Sequence, residues 1–126
     1  AICQWSDDEL KQRLVDSHGP GNIVSLSLEL ADVTEVFEAI GERNIRAEKV
    51  ADKAIKAMKR YIKANVPVGE YLADQLLLPM VLGAGGKFRT LNPSDHLLTN
   101  IAVIQQLKNV KIGLEKIEED VWEVFI

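Results

Sequence analysis

Cysteine is almost missing from this 126-residue chain: Cys3 is the only one, so no disulfide can close within it and no cysteine-based zinc site can be built. A lone thiol fits a reducing compartment. Histidine is nearly as scarce, with only His18 and His96, far apart in sequence, so a metal site made by this chain alone is not expected. An excess of positive charge is lacking as well. Lys and Arg number 15 against 19 Asp and Glu, a net charge of -4, which excludes a wholly basic nucleic-acid coat protein. No long hydrophobic run is present either. The most apolar stretch, residues 71–82, is interrupted by Asp74, Gln75 and Pro79 and is too short to cross a bilayer. Residues 1–8 have neither the basic nor the apolar region of a signal peptide, and the chain does not begin with Met. It reads as though it starts within something longer. A cytoplasmic protein without membrane attachment is expected.

What is present is an ordinary globular composition, 47% apolar and 27% charged, which excludes disorder and suffices for a core. Residues 24–30 alternate strictly between apolar and polar side chains, the signature of a strand with one buried face. Residues 10–16 are a weaker strand candidate, joined to it through the turn-forming His18-Gly19-Pro20-Gly21-Asn22. A hairpin of these two is the simplest reading, with residues 34–40 as a third strand. Residues 46–64 contain no Gly or Pro, and Ala47, Val50, Ala51, Ala54, Ile55, Met58, Tyr61 and Ile62 form one apolar stripe, which predicts a helix. Its charges fall elsewhere: Lys49, Lys53, Lys56, Arg60 and Lys63 recur at steps of four and three. Residues 45–65 hold seven basic and two acidic residues, net +5, which leaves the rest of the chain at -9. Such a stripe is either a solvated helix face or a surface for nucleic-acid phosphates.

Asn65-Val66-Pro67-Val68-Gly69 breaks this pattern and suggests a domain boundary. Beyond it the expected order is α-β-α-β-β. A helix over 69–78 is apolar nearly all round, hence buried, and stops or kinks at Pro79. Then come a strand over 87–91, a helix over 95–107 with Leu97, Leu98, Ile101, Ile104 and Leu107 inward, and strands over 110–117 and 121–126.

Two places stand out chemically. Asp74 and Gln75 interrupt an otherwise apolar helix, where a buried carboxylate is costly unless paired. They lie either on its one wet face or in a ligand pocket, with Tyr71 one turn earlier offering a ring for stacking. His96 follows Ser94 and Asp95 at a helix start. The positive potential there favours an imidazole with a free lone pair, able to act as a nucleophile, and suits an anion at the amides. The plain alternative is a histidine that only begins the helix. There is no Walker loop and no dinucleotide fingerprint; Gly83-Ala84-Gly85-Gly86 lacks the right context.

Together, His18-Gly19-Pro20-Gly21-Asn22, the run Pro67-Val68-Gly69-Glu70-Tyr71-Leu72-Ala73-Asp74-Gln75-Leu76-Leu77-Leu78-Pro79 and His96-Leu97-Leu98-Thr99-Asn100-Ile101 resemble RNA 3′-terminal phosphate cyclases, the wording around His96 being most like bacterial members. Val33-Thr34-Glu35-Val36-Phe37 and Gly41-Glu42 fit as well, and the resemblance covers essentially the whole chain.

The resemblance implies an ATP-dependent enzyme that converts an RNA 3′-phosphate end to a 2′,3′-cyclic phosphate through a histidine-AMP intermediate and an RNA-adenylate. His96 matches the adenylylated histidine. Tyr71, Leu72, Ala73, Asp74 and Gln75 match the nucleotide-binding segment, and Phe37 falls near the base. ATP with Mg²⁺ or Mn²⁺ is implied as cofactor, and RNA with a 3′-phosphate end as partner. So is a mixed α/β architecture in which residues 1–65 are the later part of a small inserted domain and 66–126 the last repeat of the larger cyclase domain. Family chains are considerably longer, so the missing N-terminal part of the same enzyme is a further implied partner. The fragment alone would be weakly active or inactive, and open sheet edges would let it form oligomers. A non-catalytic cyclase-like module that binds RNA in ribosomal RNA maturation is the alternative; such relatives lack the histidine.

Overall fold

A computed structural model describes residues 5–126. Cys3 and the first residues of the N-terminal run lie outside the described residues.

The fold is mixed α and β, with three α-helices and two small antiparallel sheets. Strand β1 (Ile23–Glu29) pairs antiparallel with β2 (Thr34–Ile40), Leu26 opposite Phe37. Both alternate in burial, and the inward set of β2 is Glu35, Phe37 and Ala39. Helix α1 (Ala47–Ala64) covers this sheet with Val50, Ala54, Met58 and Tyr61, four members of the expected stripe. Ile62 of that stripe is exposed. Asn65 ends the helix in the left-handed conformation, φ 50°, its N–H returning to the Tyr61 carbonyl.

The second half follows the expected order. Helix α2 (Glu70–Leu82), β3 (Lys87–Thr90), α3 (Asp95–Lys108), β4 (Gly113–Glu118) and β5 (Val121–Phe125) succeed one another. The sheet order is β3-β5-β4, all antiparallel, and Val68 bridges to Thr90 in parallel on the outer side of β3. One cluster built on Ala73, Leu77, Phe88, Leu97, Ile101, Ile104 and Val124 joins α2 and α3 to the sheet. A second, formed by Phe37, Met58, Tyr61, Val66, Leu91 and Val121, joins the two halves of the chain. Ala39, Val50 and Ala54 make a third beneath β1 and β2.

Four expectations need correction. Residues 10–16 form no strand and are exposed throughout; their apolar side chains Leu10, Leu14 and Val15 keep no clean alternation, and β1 finds its partner in β2 instead. Helix α2 does not stop at Pro79 but continues to Leu82. Proline there forfeits the hydrogen bond to the Gln75 carbonyl, yet the last turn keeps its helical form and closes with the Gly83 N–H on the Pro79 and Met80 carbonyls. Nor is α2 buried all round: Ala73 and Leu77, one turn apart, are buried, while Tyr71, Leu78 and Leu82 face outward. In α3 likewise Leu97, Ile101 and Ile104 point inward, but Leu98 and Leu107 are exposed.

Candidate functional site

Helix α3 begins as its sequence requires. The Ser94 hydroxyl accepts a hydrogen bond from the Leu97 N–H at 3.2 Å, Asp95 is the first helical residue and His96 the second. Leu97 anchors this turn in the core, almost fully buried, and turns its neighbour His96 to solvent. The imidazole is therefore reachable by a ligand beside the free amides of a helix start.

Helix α2 packs against α3. Ala73, 1% exposed, lies in the shared core, so Tyr71, Leu72, Asp74 and Gln75 are distributed around the rest of the first turns. Leu72 packs against that core, Asp74 is half-buried, and Gln75 and Tyr71 are exposed.

The start of α2 is fastened by a residue the sequence did not single out for chemistry. Glu35, buried on the inward face of β2, accepts the Gly69 N–H at 2.7 Å. A carboxylate at a helix start is well placed to meet an unsatisfied amide there. Its signal was its parity: Glu35 shares its face with Phe37 and Ala39. A Cβ at Gly69 would collide with this carboxylate, so the close approach requires glycine. Burial, and then the nearby Glu35 charge, raise the Tyr61 phenol above its ordinary pKa.

Phe37 and Tyr71 are brought to one cleft, together with Glu35, Ala57, Arg60, Glu70 and Leu91. Its volume, about 60 Å³, is room for roughly two waters, so a nucleobase has no place inside it. Phe37 is buried, its ring packed against Tyr61 with centroids 5.6 Å apart. Tyr71, 66% exposed, keeps a free ring surface.

Arg60 ties the surroundings together. Its guanidinium donates two hydrogen bonds to Asp120 in the β4–β5 turn, Nε to Oδ2 at 2.6 Å and Nη2 to Oδ1. It also lies 3.6 Å from the Glu70 carboxylate at the start of α2. Asp120 Oδ1 accepts the Asn92 N–H at 3.2 Å, two residues before the Ser94 cap. The hydrogen bond from Arg60, joined by the Asn92 amide, holds the Asp120 carboxyl below its usual range, although burial works against this. Arg60 is raised by the same bond.

A family model for RNA 3′-terminal phosphate cyclase matches residues 14–114, most of the chain. The chain belongs to this family. The match takes in β1, β2, all three helices, β3 and the start of β4. It thus includes Phe37, the Tyr71–Gln75 segment and His96, and an RNA cyclase-type role follows in general terms. No described helix is long and apolar enough to cross a membrane. Among the described residues, no group of three His, Cys, Asp or Glu side chains could hold a metal ion.

Proposed function

We propose that this chain carries the nucleophile of an ATP-dependent RNA 3′-phosphate cyclase. The observation that carries the reading is His96, exposed on the first turn of a capped helix that packs against the helix bearing Tyr71, Asp74 and Gln75. A ring nitrogen of His96 attacks the α-phosphorus of ATP; the N–P bond forms as the bond to the bridging oxygen breaks, and pyrophosphate leaves. An oxygen of the RNA 3′-phosphate then attacks the same phosphorus and frees His96. Finally the neighbouring 2′-hydroxyl attacks the 3′-phosphate, gives up its proton, and AMP departs. The first amides of α3 stabilise the negative phosphate oxygens beside His96.

Tyr71 offers its exposed ring to the adenine, Asp74 and Gln75 supply hydrogen bonds, and Leu72 and Ala73 seat the segment on the core. Phe37 backs the cleft behind Tyr71. The nucleotide would bring Mg²⁺ or Mn²⁺, whose charge would help pyrophosphate to leave; among the described residues no group of three His, Cys, Asp or Glu side chains would hold it. Residues 1–65 act as the later part of an inserted domain and 66–126 as the last repeat of the larger one, in a cytoplasmic enzyme completed by a preceding N-terminal part. The exposed apolar side chains of α2 and α3, Leu78, Leu82, Leu98, Val103 and Leu107, support a face that such repeats would cover.

Intact mass after incubation with ATP and Mg²⁺, with peptide mapping, tests the reading. AMP on His96, absent in His96→Ala, is the expected result, on this chain or with the preceding part restored. An adduct that survives His96→Ala overturns the assignment. RNA binding with no adduct in the restored protein would favour the non-catalytic alternative.

A further inference from the structure

The basic residues of α1 separate sharply by partner. Lys53 is held by Glu42 at 3.0 Å, Arg60 by Asp120 and Glu70, and Arg89 of β3 by Glu123 at 3.6 Å. Lys56, Lys59 and Lys63 form no ion pair among the described residues, and all three are exposed. They share a broad groove of about 750 Å³ with Glu118 at the end of β4 and Glu119 and Asp120 of the β4–β5 turn, Asp120 being paired with Arg60. Arg60 lines this groove and also the cleft of Phe37 and Tyr71, so the two adjoin. At 1.5 Å per residue the three lysines spread over about 10 Å of helix.

We propose that this groove holds the RNA strand leading to the reacting 3′ end, with its phosphates against Lys56, Lys59 and Lys63. Uncommitted cations of one sign along one helix match a phosphodiester chain. Lysine is a point charge that meets phosphate without demanding a base sequence, which suits an enzyme that acts on an end. Glu118 and Glu119 repel the backbone and keep the strand on α1. The direction of the strand rests on the proposed function, since the groove meets the cleft of Tyr71 at Arg60; the presence of the site does not. The basic stripe of α1 is thereby narrowed: Lys53 and Arg60 are engaged within the protein, Lys49 is exposed but lies outside the groove, and Lys59, outside the four-three spacing, belongs to the surface.

Fluorescence anisotropy with a short single-stranded RNA ending in a 3′-phosphate tests this directly. Lys56→Glu/Lys59→Glu/Lys63→Glu is compared with Lys11→Glu/Lys108→Glu/Lys111→Glu, three exposed lysines outside the groove and the same change in net charge. The groove variant should lose at least tenfold in affinity, and its log–log salt slope should flatten by about two, near 0.7 for each of three phosphate contacts. The control should lose less than threefold. Glu118→Gln/Glu119→Gln should bind more tightly. Equal losses in groove and control variants, or an unchanged groove variant, overturn the proposal. The groove variant should still take AMP on His96, whereas His96→Ala should still bind RNA through the groove, so the two readings fail separately. If charge reversal disturbs folding by circular dichroism, the Lys→Gln set replaces it, with a smaller loss of the same sign expected.

Discussion

The two halves of this molecule spend their apolar residues differently. In the β1–β2–α1 half burial follows the period of each element: the strands alternate, α1 turns Val50, Ala54, Met58 and Tyr61 inward, and the apolar side chains that are exposed, Ile23, Val36, Ile40 and Ile62, sit on the outward positions. In the α2–α3 half the helices are apolar on both sides. Ala73, Leu77, Leu97, Ile101 and Ile104 meet the β3–β5–β4 sheet, yet Leu98, Val103 and Leu107 are exposed. Periodicity thus describes a helix covered on one face, and composition without periodicity marks one that has two faces to cover. The first half exposes apolar side chains too, but on the faces that its periodicity turns outward. The second has apolar surface to spare, and the seam of Glu35–Gly69 and Arg60–Asp120 ties it to the first.

The sharpest break of this contrast lies within α2 and α3 themselves. Leu77 is fully buried and Leu107 is 77% exposed. Leu77→Ala should cost about 2–5 kcal/mol and Leu107→Ser less than about 0.5 kcal/mol, measured by urea denaturation. If both cost alike, the outer face is not open. Leu107→Ser should also reduce self-association in sedimentation, because it removes exposed apolar surface.

What could be read in the residues divides along the same line. The alternation over β1 and the stripe of α1 were legible because half-buried elements carry their periodicity openly. The α-β-α-β-β order was legible because Gly83–Gly86 and the Asn92–Asp95 signals punctuate it. The open faces of α2 and α3 were not, since an apolar residue states what it prefers and not whether a neighbour covers it. Pro79 misled because a proline removes one hydrogen bond without always ending a helix, and here the chain stays helical to Leu82. Of the candidate site, Asp74, Gln75 and His96 could be singled out by their anomaly, with Tyr71 one turn away, whereas Leu72, Ala73 and Phe37 came from the resemblance. The Arg60–Asp120 pair, sixty residues apart, could not, because an ion pair across the fold leaves no local pattern.

The seam at Gly69 should give an intermediate effect. A methyl group there would press on the Glu35 carboxylate, so Gly69→Ala should destabilise by about 1–3 kcal/mol. Glu35→Ala alone leaves the Gly69 N–H without its buried acceptor, at a similar cost. Combined, the two should cost less than their sum, since removing the carboxylate relieves the collision. Additive losses in a double-mutant cycle would place the strain elsewhere and loosen the link between the halves.

The smallest effect belongs to Asp120. Its carboxyl is held low first by the Arg60 hydrogen bond, with help from the Asn92 amide. A folded-state pKa below the unfolded one means stability that is fully present above about pH 4, the ordinary Asp range, and is lost as pH falls through the lower folded value. Because both side chains are partly exposed, solvent screening keeps the contribution modest, and Asp120→Asn should cost about 1 kcal/mol at pH 7. The gap between wild type and variant should begin to close as the pH drops below about 4 and vanish only below the lower folded value, where the native carboxyl is protonated as well. A gap that persists in acid would mean that Asp120 acts through its turn geometry, φ 60°, and not through its charge. The ion cluster would then drop out of the seam, leaving Glu35–Gly69 and the shared apolar cluster of Phe37, Tyr61, Leu91 and Val121 to hold the halves together.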